Sequence, residues 1–235
     1  MDASSSTAVG LSFGDMVLIG STLILAVTAF AAPYVVERWK HKSFAPKLCF
    51  EFSHAPPYCH GTEMTTRSGR LPVYYFRFVV VNEGKSQAEQ CEAVLEMIRK
   101  ENSSGRFEEW VDFSPVSLQW SGVRDSKYLT IQPGRKIFCD IGRIHHPEHE
   151  PESAYKDISP EEKRQNKFFF ALLQTFFVQW DCLLPGKYQI EIAVYSSNSG
   201  RVSKKFNLAW SGNWKDKERD MLNELVISLD QSARK

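Results

Sequence analysis

Residues 188–195 read YQIEIAVY, and this run sets the fold class that the rest of the chain is expected to share. Every second side chain is apolar, so these four would share one face of an extended chain: Tyr188, Ile190, Ile192 and Val194. Residues 196–200, SSNSG, supply turn residues, and residues 202–210 continue as a second extended run. The stretch therefore predicts a β-hairpin with one buried face.

Similar short runs, separated by turn residues, occur on the amino-terminal side of this hairpin. Pro133 and Gly134 favour a type II turn between two of them. The run at 168–180 suits a buried helix or strands, and its aromatic residues favour strands. Residues 54–69 are rich in turn residues and predict a loop. Residues 143–165 are polar, and Ser159 and Pro160 within them predict the start of a helix. The predicted strands are 47–53, 73–82, 91–98, 107–111, 116–120, 128–131 and 136–141.

Many short strands with little helix between them predict a mainly β fold, an antiparallel β-sandwich over residues 47–212. Residues 213–235 follow this domain. Within them, residues 215–232 carry apolar side chains at helical spacing, which predicts an amphipathic C-terminal helix. These apolar residues are Met221, Leu222, Leu225, Val226 and Leu229.

The residues leading into the first run are Leu184, Pro185, Gly186, Lys187 and Tyr188. They resemble the Leu-x-Pro-Gly-x-Tyr run that enters a late strand of immunoglobulin-like and fibronectin type III sandwiches. Residues 80–84, VVNEG, similarly resemble a segment of bacterial immunoglobulin-like adhesion modules. The resemblance implies a tyrosine corner, in which the Tyr188 hydroxyl bonds back to the backbone. It departs from the family in lacking a matched cysteine pair around a buried Trp, and it implies no activity.

An uncharged apolar stretch, MVLIGSTLILAVTAFAAPYVV, occupies residues 16–36 behind a short tail of residues 1–15. As a helix it would reach about 31 Å, which matches the hydrocarbon core of a bilayer. A cleaved signal peptide is the alternative, with a cleavage site near Ala29 to Ala31. The tail lacks Lys and Arg and the apolar run is long, so the sequence favours a retained transmembrane helix.

Residues 37–46 form a basic juxtamembrane linker after this stretch. Its membrane-flanking residues are Arg38, Trp39, Lys40 and Lys42. Basic residues beside a span favour the cytoplasmic side, and Trp favours the interface. The expected topology places the N-terminus outside and the globular domain in the cytoplasm, with the lipid bilayer as a partner.

Composition narrows the classes of function. The formal net charge of +1 gives no large basic field, so no nucleic-acid partner is expected. The five cysteines form no CxxC pair and their number is odd, which fits free thiols in a reducing cytoplasm. The sequon at Asn102 would matter only in a lumenal domain. No cofactor motif is present.

Three groups of residues could carry chemistry. His145, His146 and His149, with Glu148 and Glu150, offer ligands for a transition metal, although their spacing equally suits a solvated loop. Residues 10–14 match the G-x-S-x-G elbow but lack its strand and helix. Cys59 and His60, near His54, form a loose thiol–imidazole group that favours a structural reading.

These observations predict a single-pass membrane protein with a cytoplasmic, non-enzymatic β-sandwich that binds protein partners or itself, docking at sheet edges or on the C-terminal helix. One alternative is a membrane-tethered metal-binding enzyme or sensor that uses the His145–Glu150 loop. The other is a lumenal or extracellular adhesion-type module with the reverse topology.

Overall fold

The computed structural model describes residues 25, 27–37, 44–66, 69–111, 113–123, 126–149, 159, 161, 164–173 and 181–230. The chain divides into two units, one that ends at Ala45 and one that begins at Pro46. Residues 27–37 of the first unit form helix α1. Among the residues described, no helix is both long enough and apolar enough to cross a bilayer. Residues 16–24 and 26 of the apolar stretch, and the flanking residues 38–43, lie outside the described residues.

The second unit is mainly β, as the alternating sequence runs predict. Its elements in chain order are β1 (Leu48–Glu51), β2 (Cys59–Thr66), β3 (Gly69–Asn82), β4 (Ala88–Glu101), β5 (Phe107–Glu109), β6 (Val116–Ser117), β7 (Leu129–Ile131), β8 (Lys136–His145), a 3-10 turn (Pro147–His149), β9 (Phe168–Phe170), β10 (Cys182–Leu183), β11 (Gly186–Ser196), β12 (Gly200–Trp210), helix α2 (Glu218–Glu224) and β13 (Leu225–Leu229).

The strands form two antiparallel sheets. One has the order β1-β3-β8-β9-β10, and β2 pairs with the other half of β3 beside β1. The second has the order β13-β12-β11-β4-β5, and β6 and β7 also pair with β4. The hairpin predicted at 188–210 is the β11–β12 pair, in which Tyr188 lies opposite Leu208. A mainly β, sandwich-like architecture is thus confirmed.

The core lies between the two sheets. Phe78 of β3 and Phe206 of β12 come from different sheets, and their ring centroids are 6.0 Å apart. Both side chains are fully buried, together with Trp120 and Tyr188. Burying aromatic side chains of this size removes a large apolar area from water, which makes this contact a main source of stability.

The segment from Val116 to Ser121 crosses from one sheet to the other. The Leu118 N–H donates to the Ala93 carbonyl oxygen in the second sheet at 2.8 Å. The Ser121 N–H then donates to the Phe138 carbonyl oxygen in the first sheet at 2.9 Å. This crossing satisfies backbone groups in both sheets.

Asn82 is a fully buried polar residue at the end of β3. Its side-chain amide donates to the carbonyl oxygens of Ser86 and Ile131, at 2.8 and 2.9 Å. Its side-chain oxygen accepts from the N–H groups of Lys47 and Gly84, at 3.1 and 3.0 Å. Asn82 therefore uses its full hydrogen-bonding capacity to join β1, the β3–β4 turn and β7.

Two predictions of secondary structure were wrong. Residues 59–66, predicted as loop, form β2, because the segment gains a full register of backbone pairing along β3. The predicted C-terminal helix is only Glu218–Glu224, and Leu225–Leu229 is a strand. In β13, Leu225 and Ile227 are buried beside exposed Val226, and the strand pairs with the edge of β12. Tertiary pairing overrides the helical spacing here.

Gly142 lies where β8 contains an extra residue. Phe76 pairs with Gly142 and Arg77 with Asp140, so Ile141 has no opposite residue in β3. A Cβ atom at Gly142 would lie 2.4 Å from the Phe168 ring and 2.4 Å from the backbone oxygen of Phe169. Only glycine lets β9 approach β8 this closely.

Candidate functional site

The three histidines predicted as metal ligands are divided by the structure. His145 is the last residue of β8 and is only 2% exposed. The Arg143 Nε–H donates to its Nε2 at 3.0 Å, and the Phe169 ring packs edge-on at 5.5 Å. Burial first, and then the Arg143 charge, lower the pKa of His145 to about 4. His145 is a neutral core residue at physiological pH.

His146 and His149 lie beyond the end of β8, in the turn that follows this strand. With Glu148 they bring three ligand atoms within 4.8 Å of one another. Pro147 begins the 3-10 turn, and the His149 N–H donates to the His146 carbonyl oxygen at 2.8 Å. The turn places residues 146 and 149 near each other, so their ring centroids are 5.8 Å apart.

Trp214 packs against this cluster, a contact that the sequence did not predict. Its ring packs edge-on to His146 at 5.2 Å and contacts Tyr74 at 5.0 Å. The Trp214 Nε1–H donates to Asp216 Oδ1 at 2.8 Å. The only sequence signal was an aromatic residue soon after a buried strand, which does not specify its neighbour.

The thiol–imidazole group is brought together in part. The Cys59 Sγ lies 3.7 Å from His54 Nδ1, within reach for a sulfur hydrogen bond. Cys59 is fully buried, and burial raises the pKa of its thiol to about 12. A nucleophilic cysteine needs an accessible thiolate, so this pair serves packing instead. His54 Nε2 also lies 2.8 Å from the Leu222 carbonyl oxygen, which ties the chain after β1 to α2.

The fold-signature residues Pro185, Gly186 and Tyr188 lie at the start of β11. The Tyr188 hydroxyl donates to the Leu184 carbonyl oxygen at 2.9 Å. Pro185 packs so closely on Gly212 that a Cβ atom there would lie 2.5 Å from Pro185 Cγ. The Trp110 ring stacks on Tyr188 with centroids 6.3 Å apart.

A groove beside Trp110 is a surface that the sequence did not indicate. It has a volume of about 510 Å³ and is lined in part by Trp110, Val111, Leu184 and Tyr188. Phe107 is 40% exposed and Val111 is 78% exposed. The Trp110 N–H donates to the Ile98 carbonyl oxygen, so the backbone groups of Phe107 and Glu109 point away from β4.

The remaining predicted site residues belong to the amino-terminal part of the chain. Arg38, Trp39, Lys40 and Lys42 lie outside the described residues, as does the G-x-S-x-G match at 10–14. In α1 the apolar side chains are exposed, with Phe30 at 86%. The exposed surface of this helix is therefore mainly apolar.

Comparison with known proteins identifies no family for this chain. The chain matches no known protein-family model, and no curated protein resembles it at a significant level.

Proposed function

We propose that this chain is a single-pass membrane protein whose β-rich unit faces the cytoplasm and serves as a non-enzymatic module for binding proteins. The observation that carries the proposal is the apolar exposed surface of α1, which includes Val27, Phe30 and Val35. Leaving such side chains in water forgoes roughly 1.5–3 kcal/mol for each large one, and a bilayer removes that cost. The helix continues the uncharged sequence that begins at residue 16.

The orientation follows from charge in the sequence. Arg38, Lys40, Lys42 and Lys47 come directly after the apolar stretch, and no Lys or Arg precedes it. This asymmetry favours a cytoplasmic location for everything after residue 36. Anionic headgroups of the cytoplasmic leaflet would further attract the basic linker.

The finer fold we propose for residues 47–212 is an immunoglobulin-like sandwich. Two antiparallel sheets around one core support it, together with the hydrogen bond from the Tyr188 hydroxyl to Leu184. Proteins with sandwiches of this kind have many different functions, so the fold alone does not indicate a binding role. The support for a binding role comes from the exposed surface beside β5.

The partner that we propose is a protein with an extended apolar segment, which adds a strand beside β5. Phe107 and Glu109 direct backbone donors and acceptors outward, as such a segment requires. Phe107 and Val111 lie on the same side of the extended chain and would pack against alternate apolar side chains of the segment. No strand within the described part of the chain pairs with β5 on this side.

Membrane insertion is tested by alkaline carbonate extraction and flotation of the full chain expressed in cells. We expect the protein to remain with the membranes. Replacing Leu23 and Leu25 by Arg should release it or prevent insertion, because charge at the centre of a span is costly. The matched control replaces both residues by Ile. A wild-type protein that is extracted by carbonate contradicts the anchor.

Orientation is tested with the sequon at Asn102, which lies in the turn between β4 and β5. A lumenal domain would acquire a glycan there and shift in mass on endoglycosidase treatment. We expect no shift from Asn102 and a shift from a sequon appended before Met1. Glycosylation at Asn102 would contradict the cytoplasmic orientation and support the adhesion-type alternative.

The β5 edge is tested by Glu109→Pro, which removes an outward N–H and leaves the pairing of Glu108 and Trp110 with β4 intact. Glu109→Ala is the matched control, because it removes the same side chain and keeps the donor. We expect partners cross-linked to the wild-type protein to be lost with Glu109→Pro and with Val111→Lys. Equal capture by all variants would contradict the proposed surface.

A further inference from the structure

The turn after β8 gathers three side chains with metal-binding atoms. The ligand atoms of His146, Glu148 and His149 all lie within 4.8 Å of one another. Zinc bonds to imidazole nitrogen and carboxylate oxygen at about 2.0–2.2 Å, so two ligands of one ion lie about 3–4 Å apart. Small side-chain rotations in an exposed turn would close the remaining distance.

The backbone holds these side chains in place from two directions. The His146 N–H donates to the Pro72 carbonyl oxygen of β3 at 3.3 Å, and the His149 N–H donates to the His146 carbonyl oxygen. Trp214 packs against the His146 ring at 5.2 Å. The turn is thereby tied to β3 and to the segment after β12, so much of the site exists before an ion arrives.

Burial and composition determine which ions suit the cluster. His146 is half-buried, whereas Glu148 and His149 are exposed, so an ion could enter from solvent. Two imidazoles and one carboxylate suit Zn²⁺, Ni²⁺ or Cu²⁺. Ca²⁺ and Mg²⁺ prefer sites made of oxygen ligands, which this cluster does not supply.

One contact inside the cluster must change on binding. The Glu148 N–H donates to His146 Nδ1 in a long hydrogen bond of 3.3 Å. A neutral imidazole has a single lone pair in its ring plane, so a metal at either nitrogen displaces this bond. A bond of this length is weak, and its loss is a small cost against metal coordination.

We infer that His146, Glu148 and His149 form a binding site for one divalent transition-metal ion of the zinc type. A water molecule or an outside group completes the coordination, as three protein ligands leave a position open. His145 is not a ligand, since its ring is buried in β8 against Arg143 and Phe169. This site is separate in sequence from the apolar stretch at 16–36 and from the edge of β5.

Binding is tested on the full chain, purified in detergent and stripped with chelator, by calorimetric titration with Zn²⁺. We expect one ion per chain. His146→Asn, His149→Asn and Glu148→Gln should each weaken binding by at least about tenfold, since even outer-shell partners cost 10–100-fold. Glu63→Gln, at an exposed residue of β2, is the matched control and should bind as wild type does. Ca²⁺ should give no heat of binding.

Trp214 supplies a second readout, because Ni²⁺ at His146 would quench its fluorescence. Trp214→Phe should lose this quenching and still bind Zn²⁺, which separates its signal from those of the other five of the six Trp residues. Equal Zn²⁺ affinity in the wild type and all three ligand variants would overturn the inference. So would binding of several ions with no loss in any of these variants, or no binding at all.

Discussion

The Tyr188 hydroxyl donates a 2.9 Å hydrogen bond to the carbonyl oxygen of Leu184, four residues earlier in the chain. The Tyr188 side chain is almost fully buried, and its ring also stacks with Trp110. One residue thus anchors the entrance to β11, packs in the core and carries one wall of the groove beside β5. The contact links a short sequence signature to the stability of the central hairpin.

Tyr188→Phe should destabilise the protein by about 1 kcal/mol, the usual contribution of one hydrogen bond. The ring and its packing are retained, so the loss reports on the hydroxyl alone. Chemical denaturation followed by Trp fluorescence measures it. Tyr128→Phe, at a half-exposed ring, is the control and should leave the denaturation midpoint unchanged.

Asn82→Asp should destabilise the protein by about 3 kcal/mol or more, because it deletes two donors and buries a charge. The Ser86 and Ile131 carbonyl oxygens would then face a carboxylate instead of an amide. Asn207→Asp, on the outer side of β12, is the matched change at a less buried position and should cost far less. A similar midpoint for both variants would contradict the role of Asn82.

Gly142→Ala should cost about 3 kcal/mol or more, at or above the upper end for overpacking, because backbone as well as a ring blocks the added methyl group. Gly105→Ala makes the comparison informative. Gly105 has a φ of +78° and nothing within 4 Å of a Cβ atom, so that change should cost only about 1–2 kcal/mol of backbone strain. Thermal unfolding of both variants measures the difference between a steric clash and strain.

Acid should destabilise the protein through His145. Its folded pKa of about 4 lies below the value near 6.5 of an unfolded histidine, so the unfolded chain binds the proton more readily. The stabilisation is complete above about pH 6.5 and falls, by up to about 1.4 kcal/mol per pH unit, as the pH drops toward 4. Denaturation midpoints between pH 7 and pH 4.5, with chelator present, measure this loss.

His145→Gln provides the comparison for the pH series, since a glutamine oxygen can still accept from Arg143 and does not titrate. The variant should lose less stability than the wild type over the same pH range. A parallel decline in the two proteins would show that other groups cause the acid sensitivity.

Much of the fold was predictable because it depends on local alternation. Tyr188, Ile190, Ile192 and Val194 are buried, as their spacing predicts, and Ala193 between the last two is buried as well. Residues 118–122, LQWSG, and 208–212, LAWSG, are nearly identical. Each segment places a buried Trp before a glycine of positive φ, at Trp120 with Gly122 and at Trp210 with Gly212. In these segments the local sequence pattern and the observed backbone conformation agree.

The missed elements depend on contacts between distant residues. Residues 59–66 show no clear apolar alternation, and β2 forms because β3 is 14 residues long and offers backbone for pairing beyond the part that pairs with β1. Leu225 to Leu229 satisfy a helical and an alternating pattern equally, and the edge of β12 decides between them. No local pattern contains that information.

The local sequence was also insufficient to predict which histidines lie together. Three histidines within five residues look equivalent in the sequence, yet β8 ends between His145 and His146. One therefore enters the interior while the next faces Trp214 in the turn. The end of a strand, which sequence locates poorly, decides which imidazoles can meet an ion.

The bond between His54 and the Leu222 carbonyl oxygen joins segments 168 residues apart. During synthesis on a ribosome, the segment after β1 must wait for nearly the whole domain before this contact with α2 can form. Contacts of such long range slow folding, and nascent chains would expose unpaired strand edges in the meantime. Chaperone demand should accordingly peak late in translation, when β12 has emerged but β13 has not.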